Sequence, residues 1–202
     1  MNIRSVLKLN RLHRWIKAKI HAKALILLYH RIATPPIDPQ LLAVAQAHFE
    51  QHLDVICKYY HPLSLNDLCR AIQTKAVPPH SIVITFDDGY SDNLYAAKPL
   101  LEKYNIPATV FVTGGLIGPS ASLWWDELAR IFLQPGPLPR VLELTINDQF
   151  HHWEINDFFP ADSEKHEIRK QWNVLEESDP GSRQTVYRSL YSIIRNLSSR
   201  ET

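Results

Sequence analysis

An α/β fold built on a parallel sheet is predicted by three features of this 202-residue sequence. Short apolar runs alternate with longer segments of helical period from residue 24 onward, which is typical of strand-helix-strand units. The run at 81–86 is continuous and mostly β-branched, as in a strand covered on both faces. Hydrophobic residues make up 45% of the chain and charged residues 21%, a composition that allows a substantial core.

Residues 1–23 form the first predicted element, a basic amphipathic helix. Seven Lys or Arg residues lie between Arg4 and Lys23, whereas the first acidic residue is Asp38. Two interpretations stay open for this helix. It is either a solvated helix packed on the domain or a peripheral attachment to an anionic membrane surface.

The segment 24–133 carries the alternation of strands and helices and is the predicted domain. Its elements are, in order, a strand over 24–29, a helix with Phe49, Leu53, Ile56 and Tyr60 on one face, a helix from Ser64 to Gln73 capped with Asp67, a strand over 81–86, a helix over 92–104, a buried strand over 107–113, and a Trp-rich helix over 123–133. Cys57 and Cys69 lie among apolar residues at helical spacing. We interpret them as core thiols, with a disulfide as the alternative.

Residues 134–202 depart from this alternation. A Pro-rich linker at 135–139 precedes a predicted hairpin that pairs residues 141–146 with 152–155. The polar remainder, from 163 to 199, has helical character with an interruption at 179–181. We interpret this part as a hairpin followed by an incomplete, mostly helical insertion.

Two adjacent carboxylates, Asp87 and Asp88, end the strand over 81–86, and Gly89 then permits a tight turn. Their mutual repulsion is costly unless it is compensated, and a divalent cation is the commonest compensation. Because neighbouring side chains at a strand end point differently, one can ligate the ion while the other acts as a base. The alternative is a polar turn in which Asp88 caps the following helix.

The heptapeptide at 84–90, Ile-Thr-Phe-Asp-Asp-Gly-Tyr, resembles the first motif of the polysaccharide deacetylase family, the NodB-homology amidases of the carbohydrate esterase family 4 type. Further segments are similar to the family in the same order along the chain, namely 28–32, 49–53, 61–65, 106–112 and 124–128. The resemblance covers residues 24–133 and indicates the N-terminal part of such a domain only.

This resemblance implies a partial, distorted (β/α) barrel and the metal-dependent removal of N-acetyl groups from an amino-sugar polysaccharide or oligosaccharide. Zinc is the expected divalent cation, with Asp87 as the catalytic base and Asp88 as a metal ligand. In such a reaction the cation polarises the acetamide carbonyl, and the base takes a proton from the attacking water.

The sequence departs from the family after Asp88, because no His-Ser/Thr-x-x-His motif follows. His151 and His152 are poor substitutes, since adjacent residues of a strand face opposite sides. We therefore expect weak metal binding and an inactive or impaired truncated enzyme. The alternatives are a non-catalytic carbohydrate- or partner-binding remnant, or a site completed by a separate C-terminal polypeptide.

Four further residues are candidate substrate contacts. His30 ends the first strand, beside which the strand of Asp87 should lie, so it can orient a ligand or touch substrate; otherwise it is a packed loop residue. Tyr90 closes the motif. Trp124 and Trp125 can form a sugar-stacking platform, although aromatic residues on an amphipathic helix also form cores.

Several function classes are disfavoured by composition and motifs. Lys plus Arg number 22 against 21 Asp plus Glu, so no overall charge indicates nucleic-acid binding. Neither a signal peptide nor a membrane-spanning run is visible, which predicts a cytoplasmic or membrane-peripheral protein. A phosphoryl-transfer enzyme is disfavoured because the sequence has no Gly-rich phosphate-binding loop. We interpret His48 and His52, which share a helix face, as solvated.

Overall fold

The computed structural model describes residues 24–116, 118, 122–156 and 171–197. They divide into two compact units. Unit 1 contains described residues 24–34 and 43–113, and unit 2 contains 35–42 and the described residues from 114 onward. The predicted basic helix at 1–23 lies outside the described residues. Within the described residues, the search for a membrane-spanning helix finds no candidate.

A parallel sheet organises unit 1, so the predicted α/β class is confirmed. Its strands are β1 (Ala24–Tyr29), β4 (His61–Pro62), β5 (Ser81–Phe86) and β6 (Ala108–Val110), while β2 (Arg31–Ile32) and β3 (Ala43–Val44) form a separate short parallel pair. Strand β5 is central, because β1 pairs along its whole length while β4 pairs with its beginning and β6 with its end. All six residues of β5 are buried, as predicted. The barrel stays a prediction, since the described strands form an open sheet.

The first two helices of unit 1 agree with the predicted pattern. Helix α1 (Gln46–Tyr59) buries Phe49, Leu53 and Ile56 against the sheet. Helix α2 (Leu65–Gln73) begins at Ser64, whose hydroxyl accepts a hydrogen bond from the backbone N–H of Asp67. This cap satisfies one of the N–H groups that a helix start leaves unpaired.

The helix predicted over 92–104 has a different internal geometry. It starts as a π-helical turn (Asn93–Ala97) and continues as α3 (Lys98–Lys103). Pro99 has no N–H to donate to the carbonyl of Tyr95, which removes one α-helical hydrogen bond at this point. The spacing of apolar residues in the sequence predicts a helix but does not show that its first turn is π-helical.

Two predictions of burial in unit 1 are wrong. The strand predicted over 107–113 forms only at Ala108–Val110, and Val110, Phe111 and Val112 are 44%, 50% and 59% exposed. An apolar run indicates a strand but not which neighbours cover it. Cys57 and Cys69 are exposed, free thiols rather than core residues. Each follows a buried helical residue by one position, which turns it about 100° from the buried face.

Unit 2 contains helix α4 (Trp124–Leu133), a hairpin of β7 (Val141–Ile146) and β8 (Gln149–Glu154), and helix α5 (Ser182–Arg195). The hairpin is confirmed, but β8 begins at residue 149 rather than 152. Asn147 and Asp148 both have positive φ, at 48° and 59°, so the strands are joined by a compact two-residue turn. The core of this unit consists of Leu128, Phe132, Leu133, Ile155, Trp172, Val186, Tyr187 and Leu190.

Candidate active site

The end of β5 determines how Asp87 and Asp88 are presented. The backbone N–H of Asp87 still donates to the carbonyl of Tyr29, at 2.9 Å, so this residue continues the pairing between β5 and β1. The chain then turns sharply, because Asp88 has φ = 69° and Gly89 has φ = 72°. Backbone pairing with β1 therefore ends between the two carboxylates, and the predicted division of their roles stays a prediction.

Gly89 is required by both conformation and space. Its positive φ favours glycine, and a Cβ atom at this position would meet Val112 Cγ1 at 3.0 Å and Val112 Cα at 3.3 Å. The extended chain after β6 thus packs directly on the turn that follows the aspartates.

His30 lies at the same edge of the sheet as the aspartates, as the sequence predicts. Strands β1 and β5 pair in parallel with Tyr29 opposite Phe86, so the chain leaves both strands at the same edge. The His30 Nε2 atom is 3.9 Å from Asp88 Oδ2. This separation is too long for a hydrogen bond but short enough for electrostatic coupling.

The pKa of the Asp88 carboxyl is raised above its usual range, chiefly because burial disfavours its charged form. The imidazole of His30 lowers this pKa, and the neighbouring carboxylate of Asp87 raises it. A carboxyl group with a raised pKa beside a second carboxylate is a frequent feature of functional sites.

Asp92 is a residue of this site that the sequence alone does not single out. Its Oδ2 atom accepts a hydrogen bond from Arg31 Nε at 3.0 Å, and its Oδ1 atom accepts one from the backbone N–H of Ile32 at 2.9 Å. In the sequence, Asp92 was only an acidic residue at a predicted helix start, where capping is the ordinary explanation. The fold brings Asp92 into contact with Arg31 and Ile32, which precede it in the sequence by 61 and 60 positions.

Tyr90 is half-buried, and the guanidinium of Arg31 lies 4.6 Å from its ring centroid. One ring face is therefore occupied by a cation–π contact. Tyr90 also lines an apolar cleft of about 860 Å³ between the π-helical turn, α3 and β6. Its predicted contact with substrate stays a prediction.

Trp124 and Trp125 lie in unit 2, on α4. Their rings meet edge to face with centroids 5.3 Å apart, and Trp124 also approaches Tyr191 at 5.0 Å. Both indoles are half-buried, and Trp124 packs against the core of unit 2. These contacts favour the core interpretation for Trp124, while a sugar-binding role for the pair stays a prediction.

The described residues do not complete a zinc site. A catalytic zinc ion usually takes three protein ligands. Among the ranges that the structure describes, no group of three His, Cys, Asp or Glu side chains could hold a metal ion. Asp88 and His30 supply at most two donors.

The other histidines do not extend this donor set. His48 and His52 are exposed, as predicted, and His52 Nδ1 lies 3.1 Å from the hydroxyl of Tyr29. His151 stacks on Trp153, whereas His152 contacts Glu143 across the hairpin, so the two rings make separate contacts.

Sequence comparison finds two matches to this chain. Residues 74–135 match the sequence model of the family described as "Polysaccharide deacetylase". A Bacillus subtilis (strain 168) protein named "Putative polysaccharide deacetylase YxkH" is 36% identical over 123 residues, which are 58% of this chain and 41% of that protein. The chain therefore spans less than half the length of that curated relative.

Structural comparison finds several partial likenesses, including the following two. The Streptococcus pyogenes deacetylase PplD in complex with acetate has a TM-score of 0.44 and 30% identity, over 54% of this chain and 51% of that chain. IcaB from Ammonifex degensii has a TM-score of 0.45 and 23% identity, over 54% and 48%. These scores are too low to define the fold, so the sequence matches identify what the chain resembles.

Proposed function

We propose that this chain carries part of the active site of a hydrolase. The proposal is supported by its sequence similarity to polysaccharide deacetylases, which is confirmed over about half of its length. The reaction is the removal of N-acetyl groups from an N-acetylated polysaccharide or oligosaccharide. The observation that supports this function is the strand end at Asp87 and Asp88, which lies inside the matching residues 74–135. His30, outside that match, lies 3.9 Å from Asp88.

Asp87 is the residue that we assign as the base. In hydrolysis of an acetamide, water attacks the carbonyl carbon and loses its proton to a base, the C–N bond then breaks, and the amine takes up a proton as acetate leaves. Asp87 is half-buried and fixed by its backbone to β1, so its carboxylate is held at the sheet edge. To His30, on the adjacent strand end, we assign the orientation of Asp88 or a contact with the sugar.

Asp88 is the residue that we assign as a metal ligand, with zinc as the expected cation. A bound cation of this kind supplies Lewis-acid polarisation of the carbonyl. Because the described residues offer no group of three donors, further ligands would be needed, and we derive no step through the metal. The same incompleteness supports the proposal that the chain by itself is impaired.

A second candidate function is non-catalytic binding of an acetylated glycan. It is favoured by the incomplete donor set among the described residues, because binding needs no metal-activated water. Tyr90 and the apolar cleft beside it, or the tryptophan pair of unit 2, would then provide the contacts.

The two functions are separated by assaying acetate release from an N-acetylated amino-sugar oligosaccharide while measuring binding of the same oligosaccharide by calorimetry. For the hydrolase, we expect release that Asp87→Asn abolishes and that the control His48→Ala leaves unchanged. Binding without release that survives Asp87→Asn would support the second function. Neither release nor binding would overturn both.

The metal assignment is tested by titrating zinc into the 202-residue chain. One-to-one binding that Asp88→Asn weakens at least tenfold is the expected result if Asp88 is a ligand. Asparagine is the appropriate replacement, because it tolerates the left-handed backbone of residue 88 and is a far weaker zinc ligand than a carboxylate. Zinc binding that is equal in both proteins would remove Asp88 from the ligand set.

A further inference from the structure

Two segments meet at the sheet edge of unit 1. The histidine segment, residues 30–32, follows β1, and the aspartate segment, residues 87–92, follows β5. The facing side chains, His30 and Asp88, are 3.9 Å apart and form no direct hydrogen bond. Their separation is therefore set by the backbone pairing that ends at Asp87 and Tyr29, and by the side-chain contacts between the segments beyond it.

Asp92 joins these segments through its side chain. It lies at the start of the π-helical turn, but its carboxylate makes no capping hydrogen bond there. Instead, one oxygen accepts from Arg31 Nε and the other from the backbone N–H of Ile32. A single carboxylate thus binds both the side chain and the main chain of the opposite segment.

Arg31 makes a second contact with the aspartate segment, at Tyr90. Its guanidinium lies over the Tyr90 ring, at 4.6 Å, while its Nε donates to Asp92. The side chains of Arg31 and Asp92 are only 26% and 16% exposed, so solvent screens their ion pair less than it screens a surface pair. Charge-assisted hydrogen bonds in such surroundings are among the stronger polar contacts in proteins.

We propose that Asp92 is a positioning residue, which holds His30 against Asp88 by binding Arg31 and the Ile32 amide. The relevance of that geometry to catalysis rests on the proposed function, whereas the segment contact itself does not. Fixing residues so distant in sequence has an entropic cost, which the two hydrogen bonds and the cation–π contact offset.

A matched control is available in the same unit. Glu50 Oε1 accepts from Lys103 Nζ at 2.6 Å and joins α1 to α3, and this pair is 37% and 62% exposed. Glu50→Ala therefore removes an ion pair of unit 1 without touching the histidine or aspartate segments. It separates a general loss of stability from a loss of positioning.

The test compares Asp92→Ala with Glu50→Ala by solution NMR, with two readouts. These are the nuclear Overhauser contact between the His30 ring and the Asp88 methylene, and the hydrogen-exchange rate of the Ile32 amide. For Asp92→Ala we expect loss of the contact and at least tenfold faster exchange, since the amide loses its acceptor. For Glu50→Ala we expect both readouts to match the wild type.

A retained His30–Asp88 contact in Asp92→Ala would overturn the proposal, as would equal losses in both variants. Arg31→Gln keeps the test decisive if Asp92→Ala does not fold, because it removes the ion pair and leaves Asp92 to accept from Ile32. We expect this variant to weaken the contact while the Ile32 amide stays protected. A contact of unchanged strength would count against the proposal.

These readouts need no catalytic activity, so they separate this proposal from the proposed function. If the wild type releases acetate, Asp92→Ala should lower kcat at least tenfold and change KM less than twofold, because it displaces the reacting groups rather than removing a substrate contact. If the wild type is inactive while the NMR result is as expected, the proposed hydrolysis fails and the positioning role of Asp92 stands.

Discussion

Two pairs of adjacent metal-binding residue types, one in each unit, have very different surroundings. In unit 1, Asp87 and Asp88 directly follow β5, where the backbone enters a left-handed turn at residues 88 and 89. In unit 2, His151 and His152 both lie within β8. His152 faces Glu143 on the paired strand at 3.0 Å, while His151 stacks on Trp153 with ring centroids 5.4 Å apart.

The difference shows that the position of a pair relative to the end of its strand decides what the pair can do. Within a strand, alternation sends neighbouring side chains to opposite faces, and each then finds its own local partner. At a strand end, the turn changes the backbone conformation, so the second residue no longer follows this alternation. That is why Asp88 can approach His30, which leaves a neighbouring strand at the same edge.

The largest effect is expected from changing the turn itself. Gly89→Ala should lower the free energy of unfolding by about 2 kcal/mol, because alanine is strained at positive φ and its Cβ would press on Val112. Urea unfolding measures this loss. Gly115→Ala is the control, since a Cβ there meets no atom within 4 Å and should change little. Equal stabilities for the two variants would show that the turn is not constrained as described.

An effect of opposite sign is expected at Asp88. Its pKa is raised from the ordinary 3.8, so the folded state binds this proton more tightly than the unfolded chain does. Ionisation of Asp88 therefore destabilises the fold, a cost that is absent at pH well below 3.8 and fully present above the folded-state pKa.

Asp88→Asn should accordingly stabilise the protein at pH 7, with a smaller gain near pH 3. The measurement is urea unfolding of both proteins at the two pH values. A variant that is less stable than the wild type at pH 7 would contradict burial as the main cause of the shift.

The smallest effect is expected in the hairpin. His152→Ala removes a pair whose side chains are 45% and 56% exposed, so the loss of unfolding free energy should be below about 0.5 kcal/mol. The double variant His151→Ala/His152→Ala should leave zinc affinity unchanged in calorimetric titration. A tenfold weaker affinity would show that the two rings act together after all.

The sequence was most informative where local rules decide the outcome. The buried run of β5, the apolar face of α1 and the cap at Ser64 were all predicted, because each depends on residues that are close in the chain. It was least informative about burial of single residues, as the exposed Cys57 and the exposed Val112 show. Exposure depends on which distant element covers a surface, and no local pattern records that.

Three features follow from the sequence alone, since motif and periodicity are local properties of the chain: the α/β class, the resemblance to polysaccharide deacetylases, and the paired aspartates that follow β5. The contacts of Asp92 with Arg31 and Ile32, and the 3.9 Å distance between His30 and Asp88, are visible only in the folded chain. The parallel pairing of β1 with β5 brings those segments together, and this juxtaposition exists only once the sheet has formed.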